Sequence, residues 1–351
     1  MSNQSGIVFT HCAVTAAAAD HGHSHGHAKR REVVVAGKRV KTVDIHAHCC
    51  VPKAMAVIKH PLEAPGLLME DTSARISAMD SQGIDVECLS INPFWYRAGK
   101  DEAAEVIRLQ NEALVEFCAK QPDRFVGFAT AALQHPELAA EQVEHAVKKL
   151  GFKGVGVGGS VAGQELADPK FHPFWKKCEE LGVLVFMHPL GTRELEPSGR
   201  LAGSGLLTNT IGNPLETTIA LSHLIFEGTL DKFPGLKVIA AHGGGFLPSY
   251  ADRSDHACMV GPKGCNPDIK LKKKPTEYLK QLYFDSLIFT PEAIRHLAAQ
   301  VGASQIVLGS DYPYPWEMKP VDHIFASTSL SDDEKIAILG TTAAKLLNIP
   351  A

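Results

Sequence analysis

At 351 residues the chain is long enough to bury a large core, and an α/β barrel fills this length as one unit. Hydrophobic residues make up 45% and charged residues 21%, with a formal net charge of -4 at pH 7. That balance lacks the basic footprint of a nucleic-acid or membrane-surface protein and points to a small-molecule substrate.

Residues 1–32 read as a flexible leader. The run 6–19 is apolar and small-residue-rich like part of an export signal, yet Met1 to Ser5 carry no Lys or Arg, so a cytoplasmic location is the first reading and export through a degenerate signal the second. The run is too short and mixed to span a membrane. Residues 20–27, Asp-His-Gly-His-Ser-His-Gly-His, form a low-complexity tract that either holds metal loosely or is an incidental tail. Eight cysteines show no paired framework spacing, and Cys49-Cys50 are adjacent, which fits a reducing compartment and buried thiols.

From residue 33 onward, strand-like and helix-like segments alternate. Short apolar or β-branched runs predict strands at 40–46, 86–91, 125–131, 154–158, 184–188, 238–242, 282–288 and 306–309. Amphipathic segments predict helices at 74–82, 102–121, 138–150, 172–181, 215–226 and 291–301. Asp71-Thr-Ser and Ser331-Asp-Asp-Glu supply helix starts, and Gly151 a stop. This order predicts one catalytic (β/α)8 barrel domain over 33–351, with an open doubly wound sheet as the alternative. No Gly-x-Gly-x-x-Gly follows the first strand, so a dinucleotide fold has no support. Two segments exceed ordinary connections: 190–213, with Arg193 and Arg200, and 258–276, with a lysine run that reads as solvated surface.

The chemistry sits at predicted strand ends. His46 and His48, in Val-Asp-Ile-His-Ala-His, lie two apart and therefore on one side of a strand. His188 ends the fifth strand, His242 the sixth, and Asp311 follows the eighth. On a barrel these residues share the carboxyl-end face. His46, His48, His188 and Asp311 make a ligand set for one divalent ion, zinc first and manganese as an alternative, with a position left for water or substrate. The fourth strand ends without a Lys or Glu to bridge a second ion, so the site is predicted mononuclear.

The pattern His-x-His, His-Pro, His-Gly-Gly-Gly and Gly-Ser-Asp-Tyr-Pro resembles the amidohydrolase superfamily, in the branch of non-oxidative decarboxylases typified by 2-amino-3-carboxymuconate-6-semialdehyde decarboxylase. The likeness extends through the segment beginning Arg75-Ile-Ser-Ala-Met-Asp, Pro122-Asp-Arg-Phe-Val-Gly, Gly212-Asn-Pro-Leu-Glu-Thr-Thr and Phe233-Pro-Gly-Leu-Lys-Val. It implies that His46, His48, His188 and Asp311 bind the metal and that His242 is the acid/base residue, with Asp311 also helping to orient water. It further implies that Arg253, eleven residues after His242, reaches a substrate carboxylate in the neighbouring subunit of a homodimer. Two departures stand out: residues 51–72 contain no arginine where that enzyme has a substrate-binding one, and 206–212 read Leu-Leu-Thr-Asn-Thr-Ile-Gly where it has a pocket tryptophan. Phe94, Trp95 and Tyr96 follow the second strand and offer either stacking surfaces for an unsaturated or aromatic acid or a structural aromatic cluster. The reaction expected is loss of carbon dioxide from an unsaturated or aromatic acid, as in aromatic compound catabolism; hydrolysis of a lactone, or hydration of an unsaturated acid, is the alternative on the same scaffold.

Overall fold

The computed structural model describes residues 30–192, 195, 197–261 and 264–350, together with the backbone of 8–10 and 13–15. The histidine tract and Arg193 lie outside the described residues. Eight parallel strands form the centre: β1 Val43–His48, β2 Val86–Ser90, β3 Phe125–Gly127, β4 Gly154–Val157, β5 Leu184–Met187, β6 Lys237–Ala240, β7 Tyr283–Asp285 and β8 Ile306–Val307. Pairing runs β1-β2-β3 and β4-β5-β6-β7-β8 in neighbour order. Two seams close the ring. Ala129 N donates to Gly154 O at 2.8 Å between the third and fourth strands, and Ile45 N donates to Leu308 O at 2.9 Å between the eighth and first. The fold is the expected barrel.

The strands are shorter than the apolar runs because several runs continue into the loops that carry the site, as at 240–242 and 285–288. The principal helices are α1 Ser73–Gln82, α2 Lys100–Lys120, α3 Pro136–Leu150, α4 His172–Leu181, α5 Asn213–Phe226, α6 Ala251–Val260, α7 Pro291–Val301 and α8 Thr342–Leu347. Asp71 Oδ1 accepts from Ser73 N at 2.8 Å at the start of α1, and Ser331 and Glu334 form a capping box ahead of the C-terminal helices.

Two packed layers result. Val43, Ile45, Leu184, Phe186, Ile239 and Val307 fill the barrel interior, where Ala343, Ala344 and Leu347 of α8 join them. The larger layer lies between strands and helices, with residues such as Val106, Val143 and Trp175. Among the described residues no helix is long and apolar enough to cross a membrane.

The cysteine expectation needs one correction. Cys258 and Cys265 form a disulfide with a Cα separation of 4.1 Å, because a return of the chain after α6 brings two residues seven apart together. Cys49 and Cys50 are free and buried, and burial raises both thiols, Cys50 to about 12.

Candidate metal and acid-base centre

The barrel mouth gathers the predicted strand-end residues. His46, His48, His188 and Asp311 are all buried, and one ligand atom from each lies within 4.8 Å of the others. A local irregularity in β1 makes this possible. Pairing with β2 shifts register between Asp44 and Ala47, and the strand re-aims there, so Ile45 packs in the interior while the next residue, His46, packs edge-on to interior Phe186 with ring centroids 5.0 Å apart.

Hydrogen bonds fix which nitrogen of each β1 histidine faces the centre. His46 Nδ1 lies 2.6 Å from Asp285 Oδ2, so it carries the proton and leaves Nε2 as a lone pair. Ser90 Oγ donates to Ala47 O at 3.0 Å and therefore accepts from His48 Nδ1 at 3.1 Å. The two Nε2 atoms then face each other at 3.0 Å, with Asp311 Oδ1 at 3.2 and 3.0 Å from them. Lone pairs so disposed repel unless a cation stands between them, and edges near 3.3 Å are what a tetrahedral site with donors about 2.0–2.1 Å from its ion requires. Among the described residues His188 has no hydrogen-bond partner at either nitrogen, and Asp311 Oδ1 has none with hydrogen-bond geometry. Orphaned buried donors of this kind fit a divalent cation.

The electrostatics agree with that reading. With no ion bound, Asp311 and Asp285 outweigh burial and raise the His46 imidazole to about 10, so a proton on Nε2 then holds the position that a bound cation takes. Burial lowers His48 and, with its imidazole neighbours, lowers His188 well below the usual range, leaving both neutral. Asp311, though buried, is held well below the carboxylate range by His46 and the other facing imidazoles.

His242 stands beside this set, with Nε2 3.7 Å from Asp311 Oδ2 and Nδ1 buried without a partner. Both His242 (φ 55°) and Asp311 (φ 64°) adopt left-handed backbone, a conformation rare for residues with a Cβ and held here by their surroundings. Asp285 Oδ2 accepts from His242 N at 2.9 Å and Oδ1 from Gly243 N at 2.8 Å, while Asp311 N donates to His46 O at 2.8 Å. The glycines after His242 are required by space: a Cβ on Gly245 (φ 65°) would sit 2.1 Å from Pro214 O.

The other expected residues are placed differently. Arg253 is exposed on α6, its guanidinium 5.8 Å from the Tyr250 ring, and is not among the residues gathered at the mouth. Phe94 is half-buried and lines a cavity that His48 also lines. Trp95 is fully buried, donates Nε1 to Ala131 O at 2.9 Å and backs Phe94 edge-on at 5.2 Å. Tyr96 is buried too, its hydroxyl accepting from Gly158 N at 3.1 Å. Asp285 has no role in the sequence reading, although a lone aspartate within an apolar strand run was a usable signal. Arg75 and Glu216, quoted only as parts of motifs, also support the site. Arg75 pairs with buried Glu87 at 2.8 Å and donates to His48 O, and Glu216 accepts from Gly191 N just beyond β5 and from Ser160 Oγ.

The amidohydrolase family matches residues 43–349, from the first barrel strand to the end of the last helix. The chain belongs to the amidohydrolase family. Among amidohydrolase relatives it is 31% identical over 285 residues to 2-amino-3-carboxymuconate-6-semialdehyde decarboxylase of Dictyostelium discoideum, covering 80% of this chain and 77% of that one. It is 32% identical over 298 residues to the gamma-resorcylate decarboxylase of a Polaromonas species, covering 80% and 89%. A solved structure of a dihydroxybenzoic acid decarboxylase from Polaromonas, with bound manganese and the inhibitor 2-nitroresorcinol, superposes with a TM-score of 0.75 at 26% identity, covering 88% of this chain and 97% of that one. The amidohydrolase barrel therefore extends over nearly all of the described chain.

Proposed function

We propose that this protein is a metal-dependent non-oxidative decarboxylase, a carbon-carbon lyase acting on an aromatic or unsaturated carboxylic acid. The observation that carries the reading is the buried convergence of three imidazoles and a carboxylate, with His188 and Asp311 Oδ1 lacking hydrogen-bond partners among the described residues and His242 alongside. The relatives named above are decarboxylases, which supports the same class. His46, His48, His188 and Asp311 would hold one divalent ion, with zinc our first choice and manganese, present in the Polaromonas structure, the second. When bound, the ion supplies Lewis acidity toward a substrate oxygen.

The remaining work falls to the chain. Asp285 holds His46 and the His242 backbone at once, so ligand and acid/base residue keep a fixed relation. As the bond to the carboxyl carbon breaks, carbon dioxide leaves and the electron pair stays on the substrate carbon, delocalised into its ring or conjugated system. His242 then delivers a proton to that carbon, forming the new C–H bond. Phe94 provides the wall for a flat substrate, and Trp95 holds Phe94 in place.

Arg253 fits the role of a carboxylate anchor completing the partner site of a homodimer. Its exposure, together with that of Tyr250, Met259 and Val260 on and beside the same helix, supports an interface there. Cytoplasmic residence is the location we favour: five of the seven cysteines among the described residues are free, with the Cys258–Cys265 disulfide as the one feature against it.

The test is carbon dioxide release from hydroxybenzoic and muconic-type acids by zinc-loaded and manganese-loaded protein, beside the H242A variant. One acid should lose carbon dioxide, and H242A should keep its metal while losing turnover. Water uptake by lactones or unsaturated acids without any carbon dioxide would overturn the proposal. For the dimer, mixing R253A with H242A should restore activity that neither shows alone.

A further inference from the structure

A further carboxylate, Asp44, ties the first barrel strand to the last behind the metal-binding atoms. Asp44 and Ser310 are both buried. Asp44 Oδ1 accepts from His46 N at 3.0 Å, where pairing with β2 shifts register, and from Ser310 N at 3.1 Å just beyond β8. Its Oδ2 accepts from the Ser310 hydroxyl, and that hydroxyl accepts in turn from Tyr312 N at 3.1 Å. Three donors thus converge on Asp44, which suits a group that only accepts. The clasp reaches both neighbours of Asp311, one directly and one through Ser310. Asp311 itself stands at φ 64°, a backbone conformation that persists only where the surroundings over-determine it. The chain has no slack at this point, since a Cβ on Gly309 would sit 3.1 Å from His46 Cβ and 3.0 Å from Asp285 Cβ. A shift of residue 310 is therefore passed on to Asp311.

We infer that Asp44, acting through Ser310, is a positioning residue for the metal centre: it fixes the conformation of Asp311 and the place of that carboxylate beside the His46 and His48 imidazoles. Asp44 is not one of the four ligands and touches no substrate. Its action differs from that of Asp285, which meets an imidazole ring, because Asp44 works on the main chain of a bulged strand and of the turn that carries the carboxylate ligand. The inference rests on the reading of His46, His48, His188 and Asp311 as ligands and holds whichever acid the protein acts on.

Cobalt(II) binding to the native protein and to D44N, S310A, the double variant and D85N tests this. Affinity is read by competition with a chelator, and geometry by the visible absorption of the bound ion. D44N keeps the shape of the side chain but turns one acceptor into a donor facing the Ser310 hydroxyl, and S310A removes that hydroxyl. Each should weaken cobalt by about 10–100-fold and change its absorption bands. The double variant should bind within about twofold of the weaker single variant, because both changes cut one link. D85N, at the opposite end of the barrel, should keep native affinity and native bands, which separates positioning from a general loss of stability. Native affinity and bands in D44N and S310A, or losses that multiply in the double variant, overturn the inference and leave the ligand set standing. A native protein that binds no cobalt overturns both. Should D44N not fold, S310A decides by itself.

Discussion

The two ends of the barrel carry buried polar clusters of opposite character. At the amino end, Asp85 precedes β2 and is saturated: Arg39 donates to both of its oxygens at 2.7 and 2.9 Å, Thr42 N donates at 2.8 Å, and Arg30 adds a further bond. Thr42 Oγ1 in turn accepts from Asp85 N at 2.8 Å and donates to Gly83 O at 2.6 Å. At the carboxyl end, His188 and Asp311 Oδ1 are just as buried and go without hydrogen-bond partners among the described residues. A buried polar group without a partner costs about 1–3 kcal/mol, so an unpaired cluster persists in a folded protein where a ligand meets it. Burial of polar residues alone therefore does not mark a site; several metal-binding groups converging on one buried point, some of them unsatisfied, do.

Four variants sharpen this contrast. D311N should cause the largest loss, removing metal and carbon dioxide release together; metal content by mass spectrometry checks it, and a fully loaded, active D311N would break the contrast. H242A should lower kcat by about 10²–10⁴-fold with metal content intact. D285N, which weakens the hold on His46 without touching the centre, should cost about 10–100-fold in metal affinity, read by competition with a chelator. D85N should leave metal affinity unchanged and lower stability by about 2 kcal/mol in urea unfolding, since its arginine partners are partly exposed.

The Asp85 cluster also gives a pH dependence of definite sign. Burial works against the Asp85 charge, but Arg39, the Thr42 amide and Arg30 outweigh it and depress the carboxyl below its ordinary value. Its stabilisation is thus present above the unfolded carboxylate pKa, about 3.9, and is lost as pH falls through the lower folded value. Acid unfolding of D85N should show less of this dependence than the native protein.

What was legible in the sequence is what local pattern dictates. The alternation of apolar runs with amphipathic segments marked eight strands, and α4 and α7 have the bounds their spacing implies, because period and capping are properties of neighbouring residues. His46, His48, His188, His242 and Asp311 were visible because each lies at or just beyond an apolar run, and a barrel brings such positions to one face. Tertiary structure decided the rest. The irregularity in β1 that turns His46 inward depends on pairing with β2. The role of Asp285 depends on an imidazole 239 residues away. Trp95 and Phe94 are adjacent in sequence, yet only packing sends one into the core and the other to a cavity wall. Sequence fixes which chemical groups a segment can offer; which of them are left unsatisfied, and so free to act, depends on contacts that exist only when distant strands close into a ring.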